Sequence, residues 1–432
     1  MQDRLARDSM IARDSMIGDR KRLLFYGLTA IITFAVMEAL LAMLAWTSPK
    51  VNQLLAPPWT TVSDDRVGYR PGPGVPGHDA RGWRNPTAYR KADVVALGDS
   101  QTYGENVAAA EIWPRRLEAM ISHPVYSMAY GGYGPVHSLL LWSEATELNP
   151  RVVIEAFYSG NDLYDAFNIV YNRGQLPELK SAEARTRKEV EDAEKIEPIS
   201  QRVERLFRLG RAASPAGQDD PGASSPFTGL RAFLAAHSRI FGLLRRARFE
   251  LQRNDVAPPL ADMAWEDAKA FALQNPACCE IFTSGEFKTI LTSDYRLSAL
   301  NLKDPRIAEG LRLCLEAIKR MNELASAKDI KLVVLLIPTK ELVLREQWKS
   351  PSKNFVLLAE NEERMWRIAK DYLGQRGIAY VDALDALRKQ LGDRRQPYPV
   401  TQDGHPNRYG HLAIALALAP VIQKLTEAHR GE

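Results

Sequence analysis

The run Lys331-Leu-Val-Val-Leu-Leu-Ile337 is the strongest strand signal in the chain: one lysine followed by six apolar residues. A strand with one wet face alternates polar and apolar residues, whereas a strand covered on both faces has no reason to alternate. Val94–Leu97 is a second such run, and Val152–Phe157 a third, broken only at Glu155. Val125–Met128 and Ala379–Val381 add two shorter candidates. Helical segments lie between them. Glu111–Ile121 is one and Pro135–Leu148 another, the latter opening on proline, and Leu412–Leu425 closes the chain. A long helix leads into Lys331, with Asp304 as its cap, Pro305 at its first position, and Ile307, Leu311, Leu315, Ile318 and Met321 on one face. Short buried strands alternating with helices predict an α/β fold built on a doubly wound parallel sheet.

The amino end has a different constraint. Leu23–Trp46 is a 24-residue stretch whose only charge is Glu38, and a bilayer core requires about 20 apolar residues of helix. Arg20, Lys21 and Arg22 precede it and only Lys50 follows closely. This bias predicts a single span of the inner (cytoplasmic) membrane, with a cytoplasmic amino end and an extracytoplasmic, periplasmic remainder. A cleaved signal peptide fits less well, because the apolar region is too long and no A-x-A site ends it. Glu38 is costly in lipid and reads as a tolerated single acid, with a helix partner as the alternative. Before the span, ARDSMI occurs twice in tandem, at residues 6–11 and 12–17. We read it as a duplicated start region, with Met10 and Met16 as alternative initiators, and exclude it from fold reasoning.

Charge and cysteine usage exclude two classes of function. A net charge of +4, with no basic stripe interleaved with aromatics, gives no footprint for nucleic acid. Cys278, Cys279 and Cys314 have no C-x-x-C spacing and make no zinc framework. In an oxidising compartment Cys278 or Cys279 could pair with Cys314, leaving one odd thiol.

The chemistry is written where the strands end. Residues 94–107 read VVALGDSQTYGENV. Gly98 and Gly104 stand one residue too far apart for a phosphate loop, and Glu105 and Asn106 occupy the places of its lysine and hydroxyl residue. The G-x-S-x-G elbow fails too, since Thr102 replaces its second glycine and no tight strand-to-helix turn is expected there. Ser100 is therefore either a turn serine or the nucleophile of another serine-hydrolase plan. YGGYGP from Tyr130, SGND from Ser159 and TQDGHPNRYGH from Thr401 follow the second, third and fifth strands. A parallel sheet gathers these ends at one edge, where ligands bind, so Ser100 and His405 can meet across the sequence.

Taken together, GDS at Ser100, a glycine at 132, GND at Asn161 and DGHPN at His405 resemble, in order, the blocks of the SGNH (GDSL) hydrolases. The membrane stretch, the lead-in HDARGWRNP and the strand end IPTKE are similar to cell-envelope members associated with exopolysaccharide biosynthesis, including alginate-acetylation-like proteins. The resemblance implies a flavodoxin-like sheet. It also implies Ser100 as nucleophile, His405 as general base and Asp403 as the group orienting His405. The oxyanion hole would be the Ser100 and Gly132 amides with the Asn161 side chain. The family's last block usually sets the acid three residues before the histidine. Position 402 is Gln here and Asp403 lies two before, which leaves a backbone carbonyl as the alternative orienting group.

The implied domains are a cytoplasmic tail (1–22), a transmembrane helix (23–46), a Pro/Gly-rich lead-in (47–90), and a catalytic domain in two parts (91–165 and 330–432). A large, mostly helical insertion (166–329) separates the two parts. It holds a charged helical stretch over Leu179–Ile196 and a disordered-looking linker over Ala212–Pro226. It also holds a basic amphipathic stretch over Phe233–Arg253, read as packing on its own domain with a lipid surface as the alternative. The implied activity is hydrolysis of acyl, most simply acetyl, esters of cell-envelope carbohydrate through an acyl-serine. The alternatives are a polysaccharide O-acetyltransferase using the same site and a noncatalytic polysaccharide-binding or scaffold subunit. The implied partners are acylated polysaccharide, the membrane and an envelope polysaccharide-synthesis complex. No cofactor and no metal are expected, since His411 stands six residues from His405 without a supporting cluster. Asp99 and Asp162 read as loop-bracing acids and Lys340 as a solvated loop lysine, with substrate contact as the alternative for each.

Overall fold

The computed structural model describes residues 25–29, 31–44, 61–73, 77–211, 238–244 and 263–428, with the single residues 22, 46, 47 and 51. The tandem ARDSMI, the 212–226 linker and most of the 233–253 stretch lie outside the described residues. The chain divides into two units. One comprises residues 1–60, 73–76 and 219–255, and the other residues 61–72, 77–218 and 256–432. In the first unit, Phe25–Leu44 is one helix, long and apolar enough to cross a bilayer, with none of its described side chains buried.

The second unit is built on the expected sheet. Among its described residues the strands are β1 (Thr61–Asp64), β2 (Gly68–Pro71), β3 (Val94–Gly98), β4 (Val125–Ala129), β5 (Val152–Tyr158), β6 (Glu280–Ser284), β7 (Phe287–Leu291), β8 (Lys331–Ile337) and β9 (Ala379–Asp382). Five of them form a parallel sheet in the order β4-β3-β5-β8-β9. Numbered among themselves this is 2-1-3-4-5, the flavodoxin-like order, with its switch point between β3 and β5. Successive residues feed two separate cores. Val95, Leu97, Val153, Phe157, Val334 and Leu336 pack on one face with Trp83, Leu311 and Ile318. Val94, Ala96, Val152, Ile154, Val333 and Leu335 pack on the other with Trp113, Leu117 and Ile414. Both faces are dry, which is why these strands do not alternate in sequence. Each buried Val, Leu or Ile contributes about 1.5–3 kcal/mol relative to exposure. Glu155 is fully buried among them, and burial raises its carboxyl to a pKa of about 8.

The helix Pro305–Ser326 begins as expected, with Asp304 accepting from the Arg306 amide at 3.0 Å. At Gly310 a Cβ would stand 1.9 Å from the Leu163 carbonyl oxygen. Only glycine lets this helix press against Asp162–Phe167, the helix that follows Asn161. Three boundaries shift. The segment expected over Pro135–Leu148 divides at Leu141 into Pro135–Leu140 and Trp142–Thr146. The one expected from Glu111 starts at Trp113, with a proline in its first turn. The closing helix starts early, at Arg408, because the Asn407 side chain caps it by accepting from the Tyr409 and Gly410 amides at 2.9 and 3.3 Å.

The lead-in is more ordered than its proline and glycine content suggests. β1 and β2 pair as an antiparallel hairpin, and Trp83 is fully buried. Asn85 exchanges two hydrogen bonds with the backbone of Ser127, covering the open edge of β4 at 2.9 and 3.0 Å. The described part of the insertion holds the helices Ala184–Ile196, Ile199–Arg211, Trp265–Gln274 and Ser293–Leu300 and the hairpin β6–β7. None of the three cysteines forms a disulfide, and all are buried. Cys314 is held instead over the Asp162 carbonyl at 3.5 Å.

Candidate active site

β3 ends at Gly98 with φ +149°, where a Cβ would meet Ala156 Cβ at 2.8 Å and Thr102 Oγ1 at 2.6 Å. Asp99 caps the next turn, its Oδ1 accepting from the Gln101 amide at 2.9 Å, and Ser100 opens the one-turn helix Ser100–Tyr103. Gly104, left-handed at φ +77°, closes it. A tight strand-to-helix turn therefore exists here after all. The aspartate cap and this glycine make it, so it does not need the elbow's second glycine. Arg84 of the lead-in holds the exit from the turn, donating to the carbonyls of Tyr103, Gly104 and Val107.

After β4, Gly132 takes φ +75°, and a Cβ there would lie 2.6 Å from the Tyr69 hydroxyl. That hydroxyl donates to the Gly131 carbonyl at 2.8 Å, so the β1–β2 hairpin sets the height of this loop. After β5, the Asn161 amide donates to Asp165 at 2.9 Å and to Asp162 at 3.3 Å. Burial raises Asp99, Asp162 and Asp165 above the usual carboxylate range, and repulsion by Asp99 adds to it at Asp162 and Asp165. Asp162 also accepts from the Tyr158 amide at 2.8 Å, so it braces its loop, as Asp99 does.

The loop after Thr401 brings in the histidine. His405 Nδ1 lies 2.6 Å from Asp403 Oδ1, and the same oxygen accepts the His405 amide at 2.9 Å. Two residues of separation suffice because the loop curls the ring back over its own carboxylate. Burial opposes charge on both partners, but their attraction prevails. His405 is raised above an ordinary imidazole, and Asp403 is held below an ordinary carboxyl. With Nδ1 pointing at a carboxylate, neutral His405 is the tautomer whose Nε2 is a proton acceptor.

Ser100, Gly132, Asn161, Asp403 and His405 line one cavity of about 520 Å³ at the carboxyl edge of the sheet, within the size range of small-molecule sites. Among the described residues no hydrogen bond joins Ser100 Oγ to His405. Such contacts commonly tighten only with substrate bound. Arg296 also reaches the cavity, lying over the rings of Tyr158 and Tyr295 at 5.5 and 4.9 Å.

Lys340 corrects the sequence reading. It is fully buried, and burial lowers its ammonium to a pKa of about 8. Its Nζ donates to the carbonyls of Ile290, Thr401 and Asp403 at 2.7, 2.9 and 3.0 Å, and to Thr289 Oγ1 at 3.2 Å. The sequence signal was available: a lysine two residues beyond Pro338, at the end of a buried strand, stands where ligands and catalytic loops gather. His411 is a core residue whose Nδ1 accepts the Trp113 amide at 3.2 Å. No cluster fit for a metal ion occurs among the described residues. Arg84 lies in the HDARGWRNP lead-in, whose contact with the Ser100 turn the sequence does not show, and Arg296 lies in a segment that carries no motif.

Residues 297–432 match the family described as SGNH hydrolase-like domain, acetyltransferase AlgX. No curated protein matches the chain. The solved structures to which the chain is similar include the following three. The first, assigned to the lipolytic G-D-S-L family of Desulfitobacterium hafniense DCB-2, has 11% identity, 76% of this chain and 98% of that one covered, and a TM-score of 0.31. The second, a GDSL-like lipase from Bacteroides thetaiotaomicron VPI-5482, has 12% identity, coverages of 77% and 87%, and a TM-score of 0.29. The third, LAE5, an alpha/beta hydrolase enzyme from the metagenome of Lake Arreo, Spain, has 11% identity, coverages of 78% and 98%, and a TM-score of 0.32. The flavodoxin-like strand order and the family match over residues 297–432 make the chain similar to SGNH hydrolase-like proteins of the alginate-acetylation-like type.

Proposed function

We propose that this chain is a membrane-anchored, extracytoplasmic serine acyl-ester enzyme acting on acylated carbohydrate of the cell envelope. The observation that carries the reading is the 2.6 Å pair between Asp403 and His405 in the wall of the cavity that Ser100 also lines. In this reading Ser100 Oγ attacks the ester carbonyl while His405 Nε2 takes its proton. The developing oxyanion is met by the Ser100 and Gly132 amides, each such donor contributing about 3 kcal/mol to the barrier. Asn161 joins them once its amide turns from Asp165. The imidazolium then protonates the departing alcohol, leaving acyl-Ser100. An incoming hydroxyl attacks that ester, gives its proton to His405, and the proton returns to Ser100. Asp403 keeps the ring in the required tautomer throughout.

Water as the incoming hydroxyl makes the enzyme an esterase, and a sugar hydroxyl makes it an O-acetyltransferase. The acetyltransferase description of the matching family favours the second. So does Phe25–Leu44, which as a single-pass anchor would keep the site beside exported polysaccharide and a synthesis complex. Incubating the protein with an activated acetyl donor and unacetylated envelope polysaccharide tests the choice by mass spectrometry. Acetyl groups appearing on sugar, dependent on Ser100, support transfer. Donor consumed only to free acetate, with acetylated polysaccharide losing its esters, supports hydrolysis. No reaction with either, and no labelling of Ser100 by a fluorophosphonate, leaves a noncatalytic binding subunit.

A further inference from the structure

Glu38 is the single charge in Phe25–Leu44 and stands six residues before Leu44, about 9 Å inside that end of the helix at ~1.5 Å per residue. A carboxylate at such a depth in a bilayer is expensive unless donors surround it. Glu38 has three, all from one place. Ser238 Oγ and the Ile240 amide donate to Oε1, the latter at 3.0 Å, and the Arg239 amide donates to Oε2 at 2.9 Å. Ser238 Oγ accepts in turn from the Phe241 amide at 3.0 Å. These amides open a helical segment at residues 239–244, and they are the groups a helix start leaves without partners. The acid and the helix start therefore satisfy each other across 200 positions of sequence.

Apolar side chains remain outward on both pieces. Leu243 and Leu244 are 39% and 62% exposed, as are Leu40 and Leu44 on the long helix at 47% each. In sequence the segment is flanked by Arg245, Arg246 and Arg248, a basic composition suited to anionic lipid headgroups.

We propose that residues 238–244 return to the membrane and lie in its interface, clasped to the span through Glu38. This rests on reading Phe25–Leu44 as a bilayer span. The depth of Glu38, about 9 Å, falls within the ~5–10 Å to which interfacial amphipathic helices sink. The side of the membrane agrees as well. Glu38 lies nearer the carboxyl end of the span, and a segment later in the chain can meet it only from the side on which that end emerges. The catalytic chain would thus be tethered twice, by the span and again at residues 238–244 between the helices Ile199–Arg211 and Trp265–Gln274.

The test uses the full chain in liposomes of phosphatidylcholine and phosphatidylglycerol. A nitroxide is placed at Leu244→Cys or, separately, at Ile31→Cys, the three native thiols being buried. Collision rates with oxygen and with an aqueous nickel chelate report depth. The proposal expects the 244 label to favour oxygen, at a shallower depth than the 31 label, and to become accessible to nickel when Glu38→Leu is added. A nickel-accessible 244 label beside a lipid-buried 31 label overturns the proposal and leaves the anchor standing. Both labels in water overturn the anchor and the proposal together. A 244 label that stays in lipid despite Glu38→Leu overturns the clasp.

Discussion

Lys340 Nζ donates to the main-chain carbonyl of Asp403 at 3.0 Å, so a buried ammonium holds in place the residue whose carboxylate meets His405 Nδ1. The same ammonium reaches Thr401 in that loop and Ile290 of β7. One side chain thereby joins the end of β8, the hairpin of the insertion and the histidine loop.

Lys340→Met removes those donors with little change of volume. We expect kcat toward p-nitrophenyl acetate to fall by at least about tenfold, ~1.4 kcal/mol on the barrier, with KM little changed. Thermal unfolding measured alongside separates positioning from stability. An unchanged kcat with a lowered Tm would assign Lys340 to the fold alone.

Asp403→Asn tests the tautomer argument. Turnover should fall by about 10³–10⁴-fold, as it does when a triad histidine loses its orienting carboxylate. The pH profile gives an independent reading. Protonated His405 cannot accept the Ser100 proton, so the rate rises with pH through the imidazole's pKa. Attraction to Asp403 sets that pKa above the ordinary ~6.5. In Asp403→Asn the acid limb should move to lower pH even as the plateau drops. A loss of only about tenfold with an unmoved limb would reduce the site to a Ser-His pair.

Gly132→Ala places a methyl on a backbone at φ +75° and 2.6 Å from the Tyr69 hydroxyl. Activity should drop and Tm fall by an amount corresponding to about 1–3 kcal/mol. Adding Tyr69→Phe should recover part of the Tm, because it relieves the clash and leaves the backbone strain. Tyr69→Phe alone measures the loss of its bond to Gly131, and a Gly132→Ala loss of Tm that is the same with and without Tyr69→Phe would show that the clash contributes nothing.

The sheet was legible because strands covered on both faces lose their alternation, which Val94–Leu97 and Lys331–Ile337 do plainly. Ser100, His405 and Gly132 stood out because the short motifs around them occur together and in the order of the SGNH blocks. Lys340 was misread because a lysine after a strand normally points into water. Only the folded loop supplies the carbonyls that make its burial tolerable. The roles of Arg84, which lies within the HDARGWRNP lead-in, of Arg296 and of the partner of Glu38 depend on contacts between segments remote in sequence, which a local pattern does not reveal.

The central claim is that Ser100 is a nucleophile activated by His405. Treating the protein with a fluorophosphonate and mapping the adduct by peptide mass spectrometry tests it most directly. We predict one phosphonylated residue, Ser100, with labelling abolished in Ser100→Ala and sharply slowed in His405→Ala, while both variants keep the parent's melting temperature within the few degrees expected of a change at a cavity wall. Labelling elsewhere, or undiminished ester turnover in folded Ser100→Ala, would contradict it.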